Sequence, residues 1–275
     1  MFIDSKKNPI VATETPMTAP PSVHYAVQGQ IAEILLDSPP VNALDEPMID
    51  ALLAALRRAA QDDSVRAVIL ASAVPGRFCA GLKLDALDVP PERSYALVDK
   101  LYSELCDTQY HLGKPSIAAV GGTARGGGMT LAVSCDMIVA ADTATFGYPE
   151  IDVGLIPGIH YTHLPRVVGR HRAFDLLFTG RAFGAQEAMQ LGLVSRVTPP
   201  SDVMAEARAL ARALCQKSPV VMRMGRMAFM RANDADYRRG VATAVENFGN
   251  VFATADAKEG IAAFVQKRKP YWQQD

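Results

Sequence analysis

The sequence, which has 275 residues, lacks the cysteine patterns of several common protein classes. Its four cysteines (Cys79, Cys106, Cys135 and Cys215) are widely spaced and include no CxxC pair. Neither a zinc site nor a disulfide framework is therefore expected, and reduced thiols in a cytoplasmic protein fit this pattern better. We accordingly expect no metal ion.

The sequence also lacks an excess of charge of one sign and a long apolar run. Its formal net charge at pH 7 is -1. Because nucleic-acid binding needs a clustered basic face, no nucleic-acid partner is expected. No charge-free stretch reaches the roughly 18 apolar residues that indicate a membrane-spanning helix, and the N-terminus has no signal-peptide core. No membrane partner is expected either.

What the chain does have is apolar residues, which make up 49% of it and suffice for one large domain. Short apolar segments alternate with helical patterns, which favours an α/β fold with mainly parallel pairing. The predicted strands are 31–36, 66–72, 116–120 and 136–141, and the predicted helices between them include 47–60, 93–112 and a helix beginning at Met129. After residue 185 helices are predicted at 185–191, 201–216, 219–231, 236–252 and 256–267, with a short strand at 194–197.

Three regions follow from this pattern. Residues 1–22 contain Pro16, Pro20 and Pro21 among small polar residues and are predicted to be a flexible leader. Residues 23–198 form the α/β core. Residues 199–275 form a helical C-terminal region.

Two glycine-rich turns follow predicted strands, the first at residues 77–82 (RFCAGL) and the second at residues 121–128 (GGTARGGG). Glycine lets a backbone turn tightly and approach a ligand, and free N–H groups at a helix N-terminus favour negative charge. Two such turns facing each other could hold one oxygen between two backbone donors. A P-loop is excluded because the Gly-Lys-Ser/Thr ending is missing, and a Rossmann fingerprint because the GxGxxG spacing and a suitably placed acid are missing. Tight helix–strand packing remains the alternative explanation.

These turns belong to an ordered series of motifs. The series comprises Asn42-Ala-Leu44, Phe78-Cys-Ala-Gly81, the run from Ala119 to Gly128, Cys135-Asp136, Phe146-Gly-Tyr-Pro-Glu150, Gly154-Leu-Ile-Pro-Gly158, Leu177-Phe-Thr-Gly180, the run from Ala188 to Val194, and Glu259-Gly with Phe264 and Lys267-Arg-Lys-Pro270. In this order and spacing the chain resembles the crotonase superfamily (enoyl-CoA hydratase/isomerase type) over about residues 25 to 272. The resemblance implies a ββα-spiral core with an acyl-CoA site and a helical C-terminal oligomerisation region. It also implies homotrimers that often pair as hexamers, and an acyl-CoA thioester as substrate, with coenzyme A belonging to the substrate and no separate cofactor.

The resemblance also implies roles for particular residues. Leu82 and Gly127 would donate the two backbone N–H groups of an oxyanion hole, which stabilises the negative charge of a thioester enolate. Glu150, after Pro149, would be the acid/base group. Contacts to coenzyme A are implied at Asn42, Ala43, Leu44 and Ala80, and near its nucleotide end at Phe264 and Lys267, on the same or a neighbouring subunit's ligand. Lys83 stands where many members have aspartate and could either lie near the coenzyme A phosphates or be solvated.

The chain departs from the family pattern at Thr130. Hydratases of the family carry a first glutamate at this position, and a threonine hydroxyl does not titrate near pH 7. One remaining carboxylate favours double-bond isomerisation, in which it moves a proton between two carbons. Hydration by Glu150 with a water held by Thr130, and hydrolysis of a thioester or C–C bond, are the alternatives.

Two further alternatives concern His160 and the class of protein. His160 or His163 could supply the missing acid/base group, or could pack at a helix start. A non-catalytic relative that binds coenzyme A or RNA is the alternative to an enzyme. The intact oxyanion pair together with Glu150 argues against it, and the near-neutral charge argues against RNA.

Overall fold

The computed structural model describes residues 22–84, 91–234 and 236–272, so the predicted leader lies outside the described residues except for Ser22. The strands are β1 (Val23–Gln28), β2 (Ile31–Leu36), β3 (Ala43–Leu44), β4 (Ala67–Ser72), β5 (Arg77–Cys79), β6 (Gly81–Leu82), β7 (Ser116–Val120), β8 (Thr123–Arg125), β9 (Met137–Ala141), β10 (Thr145–Gly147), β11 (Phe183–Gly184) and β12 (Arg196–Thr198). The α-helices are α1 (Glu46–Gln61), α2 (Pro91–Asp99), α3 (Leu105–Tyr110), α4 (Gly127–Ser134), α5 (Gly158–Val168), α6 (Arg170–Thr179), α7 (Ala185–Gln190), α8 (Val203–Cys215), α9 (Pro219–Asp234), α10 (Tyr237–Phe252) and α11 (Ala255–Val265). A π-helical segment, Lys100–Glu104, joins α2 to α3, and 3-10 segments span Pro149–Val153 and Pro200–Asp202.

The strands form two main sheets connected by a repeating path. The larger sheet has six strands in the order β1-β2-β4-β7-β9-β12, and only the β1–β2 pair is antiparallel. The smaller sheet has the order β11-β10-β8-β5, and a short parallel pair joins β3 to β6. A strand of the larger sheet is followed by a short strand of the smaller one and then by a helix, as in β7, β8 and α4. The expected α/β fold with a spiral of ββα units is confirmed.

The core lies where both faces of the larger sheet are covered. Strand β7 is buried along its whole length and β4 is buried up to its last residue. Helix α8 packs on β4 and β7. A parallel strand covered on both faces is apolar without alternation, which explains the continuous apolar runs in the sequence. Helix α1 begins where predicted, because the Asp45 side chain accepts a hydrogen bond from Met48 N at 3.1 Å.

Two helices were missed by the sequence reasoning. The predicted strands and the helical C-terminal segments are confirmed, but α5 and α6 were not predicted. Gly158, Pro165 and Gly169 lie within or at the ends of these helices, so the local signal was that of a loop. The short strands of the smaller sheet, two or three residues long, offered no alternation to detect. In the described part of the chain no helix is long and apolar enough to span a membrane.

Candidate active site

The two glycine-rich turns meet in space. Gly81 has a φ of +93°, and a Cβ atom there would lie 2.9 Å from the carbonyl oxygen of Arg125 and 3.0 Å from Gly127 N. Only glycine permits this approach, because any side chain would collide with the backbone of the second turn. This approach places Leu82, the residue after Gly81, close to the start of α4.

The pairing of β3 with β6 holds the first turn in place. Ala43 is opposite Gly81 and Leu44 is opposite Leu82. Lys83 N donates to the Leu44 carbonyl at 2.8 Å. Backbone hydrogen bonds on both sides thus restrict the position of the Leu82 peptide, as a preorganised donor requires.

Gly127 begins α4, so its N–H has no acceptor within the helix and lies at the positive end of the helix dipole. A Cβ atom at Gly127 would lie 3.1 Å from Leu101 Cδ2 and 3.3 Å from Leu44 Cδ1. The donor therefore lies beside apolar side chains, where an electrostatic interaction with a ligand oxygen is stronger than in water.

Glu150 reaches the second turn from the 3-10 segment that follows β10. Helix α11 fixes this segment, because a Cβ atom at Gly260 would lie only 2.2 Å from the carbonyl oxygen of Val153. Gly126 has a φ of +51°, and a Cβ atom there would lie 3.1 Å from Glu150 Oε1. The carboxylate is thus packed against the residue that precedes the Gly127 N–H.

The environment of Glu150 favours its protonated form. The residue keeps some exposed surface, but Oε2 is buried and has no hydrogen-bond partner among the described residues. Burial raises the pKa of Glu150 to about 7, against a smaller opposing effect of a hydrogen bond from its own backbone. A carboxyl group with this pKa both takes and returns a proton near neutral pH.

Three tyrosines lie within range of the charge of this carboxylate, and the sequence predicted no role for two of them. Burial raises the pKa of Tyr102, Tyr148 and Tyr161, and the negative charge of Glu150 raises each of them further. Tyr148 belongs to the Phe146-to-Glu150 motif, two residues before the carboxylate. Tyr102 and Tyr161 lie on other elements, and no local signal in the sequence marked them.

Thr130 and His160 lie side by side beneath the second turn. Thr130 Oγ1 is 3.3 Å from His160 Nε2, and both residues are buried. Burial and the neighbouring His163 hold the pKa of His160 well below its usual value, against a hydrogen bond to the Gly126 backbone. Burial and Arg166 lower the pKa of His163 to about 4. Both imidazoles are therefore neutral at pH 7.

The residues for which the resemblance implies coenzyme A contacts have different surroundings. Asn42, with a φ of +52°, donates its side-chain amide to Ser72 Oγ and to the Phe78 carbonyl, so this amide fixes the turn. Lys83 Nζ lies 2.5 Å from Asp45 Oδ2. Ala80, Phe264 and Lys267 are exposed, the last two at the C-terminal end of α11.

Of the candidate residues, the structure places Leu44 beside Gly127, Glu150 beside Gly126, and Thr130 beside His160. Leu82 follows Gly81, which lies against Gly127. Phe264 and Lys267 are on a different element, and their predicted ligand contacts stay predictions. No group of three or more His, Cys, Asp or Glu side chains suited to a metal ion occurs within the described residues.

Known proteins similar to this chain belong to one family. A family model described as enoyl-CoA hydratase/isomerase matches residues 26–275. A probable enoyl-CoA hydratase from Rhizobium meliloti is 38% identical over 247 residues, covering 88% of this chain and 94% of the relative. A short-chain-enoyl-CoA hydratase from Clostridium acetobutylicum is 34% identical over 248 residues, covering 88% and 94%.

A solved structure is similar to this chain along nearly its whole length. The crystal structure of an enoyl-CoA hydratase/isomerase from Pseudoalteromonas atlantica matches with a TM-score of 0.80 and 28% identity, covering 92% of this chain and all of that one (100%). With the family model matched from residue 26 to residue 275, the chain belongs to the enoyl-CoA hydratase/isomerase family of the crotonase superfamily and is an acyl-CoA-processing enzyme.

Proposed function

We propose that this enzyme isomerises a double bond in an enoyl-CoA thioester, with Glu150 as its single acid/base group. The observation that carries the proposal is one buried carboxyl group beside the second turn, with the uncharged Thr130 where two-glutamate hydratases have their first acid. The pKa of Glu150 is raised by burial and not by the charge of a neighbouring carboxylate. Asp152, two residues on, faces the end of α6, with Oδ2 3.0 Å from the Cβ position of Gly180.

In the proposed reaction the thioester carbonyl oxygen accepts hydrogen bonds from Leu82 N and Gly127 N. Glu150 removes a proton from C2 of a 3-enoyl thioester, and the electrons move onto the carbonyl oxygen as a dienolate. The same carboxyl group returns the proton to C4, which leaves the double bond between C2 and C3. The two backbone donors stabilise the enolate charge more than the ground state, and each is typically worth about 3 kcal/mol.

We further propose that the active enzyme is a homotrimer or hexamer. Large apolar side chains are exposed on α6 and α9, including Phe174 at 60%, Val221 at 69% and Met224 at 64%. Exposed apolar residues in such number are typical of surfaces that another subunit covers.

In this arrangement Ala43, Leu44, Ala80 and Lys83 would contact the coenzyme A moiety, and Phe264 and Lys267 would reach its nucleotide end on the same or a neighbouring subunit. Light scattering that shows a monomer at micromolar concentration would contradict the proposal.

Hydration is the second candidate, and one observation favours it. The Thr130 hydroxyl lies within 3.3 Å of a neutral His160, so this pair could orient a water molecule for attack on C3. Relatives from Rhizobium meliloti and Clostridium acetobutylicum also carry hydratase names. Hydrolysis of a thioester or C–C bond would use the same oxyanion hole with an attacking water.

Incubation with crotonyl-CoA and with a 3-enoyl-CoA separates these reactions. An unchanged mass and a new conjugated chromophore from the 3-enoyl substrate is the expected result. A mass gain of one water on crotonyl-CoA would establish hydration instead, and release of free coenzyme A would establish hydrolysis.

The variant Thr130→Val tests the role of the threonine hydroxyl in the same assays. It keeps the shape of the buried side chain and removes the hydroxyl, so isomerisation should stay within about tenfold of wild type. If the native reaction is hydration, loss of a water-orienting group should lower its rate about 10²-fold. A crippled isomerase without any detectable hydration would show that our account of Thr130 is wrong.

A further inference from the structure

Two buried polar atoms beside Glu150 have no role in the proposed proton transfer. The hydroxyl of Tyr148 and Nδ1 of His160 are buried and have no hydrogen-bond partner among the described residues, as is also true of Glu150 Oε2. The side chains of Tyr148 and His160 are both 0% exposed. Buried polar groups in native proteins are almost always hydrogen-bonded, so unpartnered ones indicate a ligand or a catalytic role.

The three residues adjoin the same glycine. Glu150 Oε1 packs against Gly126, and the backbone of the same residue acts on the pKa of His160. The rings of Tyr148 and His160 lie 4.5 Å apart between centroids. Tyr148 also comes two residues before Glu150 and is close enough for the carboxylate charge to act on its hydroxyl. The unpartnered atoms therefore belong to one cluster.

The hydrogen-bonding character of the cluster follows from the position of the imidazole. His160 Nε2 lies 3.3 Å from Thr130 Oγ1, which leaves Nδ1 as the ring nitrogen without a described partner. A neutral imidazole has one N–H donor and one acceptor nitrogen, so Nδ1 offers a ligand one or the other. The Tyr148 hydroxyl supplies a donor. A ligand group that both donates and accepts, such as a hydroxyl or water, complements this set better than a carbonyl or an ether oxygen.

We propose that Tyr148 and His160 form, together with Glu150, a binding site for one hydroxyl-type oxygen, either a hydroxyl carried by the acyl chain or a water molecule. The proposal rests on the proposed function in one respect: it assumes that the thioester of an acyl-CoA substrate binds between the two glycine-rich turns. It deepens that function by predicting that the enzyme recognises an oxygen near the reacting carbons. In an enzyme without a second carboxylate, Tyr148 and His160 would be the groups that distinguish hydroxylated acyl chains from plain ones.

Binding of two ligands that differ by one hydroxyl tests the proposal. We would measure the Kd values of butyryl-CoA and 3-hydroxybutyryl-CoA by calorimetry with Glu150→Gln, which cannot turn either of them over. The hydroxylated ligand should bind about tenfold more tightly. Adding Tyr148→Phe should reduce this ratio to about one, because the ligand hydroxyl then loses its donor.

Tyr25→Phe is the matched control. The Tyr25 hydroxyl is also buried without a described partner, but it lies on β1 beside Arg58 and away from the two turns. The same loss of one phenolic oxygen should leave the ratio of Kd values unchanged. Thermal unfolding should show neither variant less stable than its parent, since each loses an unpartnered polar atom.

Two further outcomes are possible: one would show that the bound oxygen belongs to water, and the other would overturn the proposal. If the hydroxylated ligand has no advantage but Tyr148→Phe, with Glu150 intact, slows addition of water to crotonyl-CoA at least tenfold, the bound oxygen is water. If Tyr148→Phe behaves like Tyr25→Phe in both measurements, the proposal is overturned. The binding assay needs no turnover, so it stands or falls separately from the isomerase assay.

Discussion

Glu150 and Glu33 are both carboxylates inside the protein, but their surroundings are opposite. Glu33, on β2, is 4% exposed and accepts two hydrogen bonds from Arg208 of α8, Nε to Oε1 at 2.7 Å and Nη2 to Oε2 at 2.8 Å. Glu150 has a buried oxygen without a partner and a raised pKa. A paired carboxylate fixes the packing of a helix on a sheet, whereas an unpaired one is left available for proton transfer.

The same contrast applies to the regions around the two residues. Around Glu33 the two hydrogen bonds from Arg208 satisfy both carboxylate oxygens and hold α8 against the sheet. Around Glu150 several polar atoms lack partners, and glycines replace side chains where the two turns approach each other. Polar atoms without hydrogen-bond partners, grouped beside the two glycine turns, thus mark the candidate ligand site.

The largest loss of activity is predicted for Glu150→Gln. Glutamine keeps the shape but cannot transfer a proton, so kcat should fall about 10³-fold while binding of an acyl-CoA ligand persists. Glu33→Gln is the matched control and should leave kcat unchanged while lowering stability. Turnover assays with a 3-enoyl-CoA check both variants, and activity of Glu150→Gln above a tenth of wild type would exclude Glu150 as the acid/base group.

A second large effect is predicted for Gly127→Val. A Cβ atom here already lies 3.1 Å from Leu101 Cδ2, and the added methyl groups would occupy the space of the thioester oxygen. Since one oxyanion donor is typically worth about 10²-fold in kcat, we expect a loss of at least this size. Gly184→Val on β11, where a Cβ atom has nothing within 4 Å, is the control. A folded and active Gly127→Val would show that the oxyanion hole is misplaced.

The pH dependence of stability should distinguish the two glutamates next. The pKa of Glu150 rises from 4.5 to about 7 in the folded state, so the folded protein binds an extra proton between these values. Its contribution to stability is fully present below about pH 4.5 and is lost as pH rises through 7. The expected loss in the free energy of unfolding is about 3 kcal/mol.

Denaturant titrations from pH 4.5 to 8 on wild type and Glu150→Gln measure this effect. His160 and His163 have lowered pKa values, so they destabilise the fold as pH falls, but they do so in both proteins. The difference between the two proteins should therefore change with pH through the window of Glu150. A difference that is flat with pH would contradict the burial of its carboxyl group. In turnover, kcat/KM should fall below pH 7 as the base becomes protonated.

The smallest effect is predicted for Arg208→Met, which acts on stability alone. Removing one partner of a buried pair is costly, but Arg208 is itself 37% exposed, so we expect a loss of about 2 kcal/mol. The control Arg57→Met breaks an exposed pair with Glu104 and should change stability by about 0.5 kcal/mol or less. Chemical denaturation measures both, and an altered kcat in Arg208→Met would mean that the two regions are coupled.

Much of the fold followed from the sequence because its signals are local. The buried strands β4 and β7 are continuous apolar runs, and α1 begins with Asp45 and Pro47 in positions that favour a helix start. Helices α5 and α6 were not predicted, because Gly158, Pro165 and Gly169 indicate a loop and only packing against α10 and the 3-10 segment outweighs that signal.

For the candidate site, the sequence by itself determined which residues have special chemistry: the two glycine turns, Glu150 after Pro149, and Thr130 in place of a glutamate. Glycine spacing and residue type are written in the chain and need no neighbours to be recognised. Only the tertiary structure decided that the charge of Glu150 acts on Tyr102, Tyr148 and Tyr161. It also decided that His160 is neutral, with Nδ1 unpartnered. Burial and through-space charge set these properties, and both depend on residues that are distant along the chain.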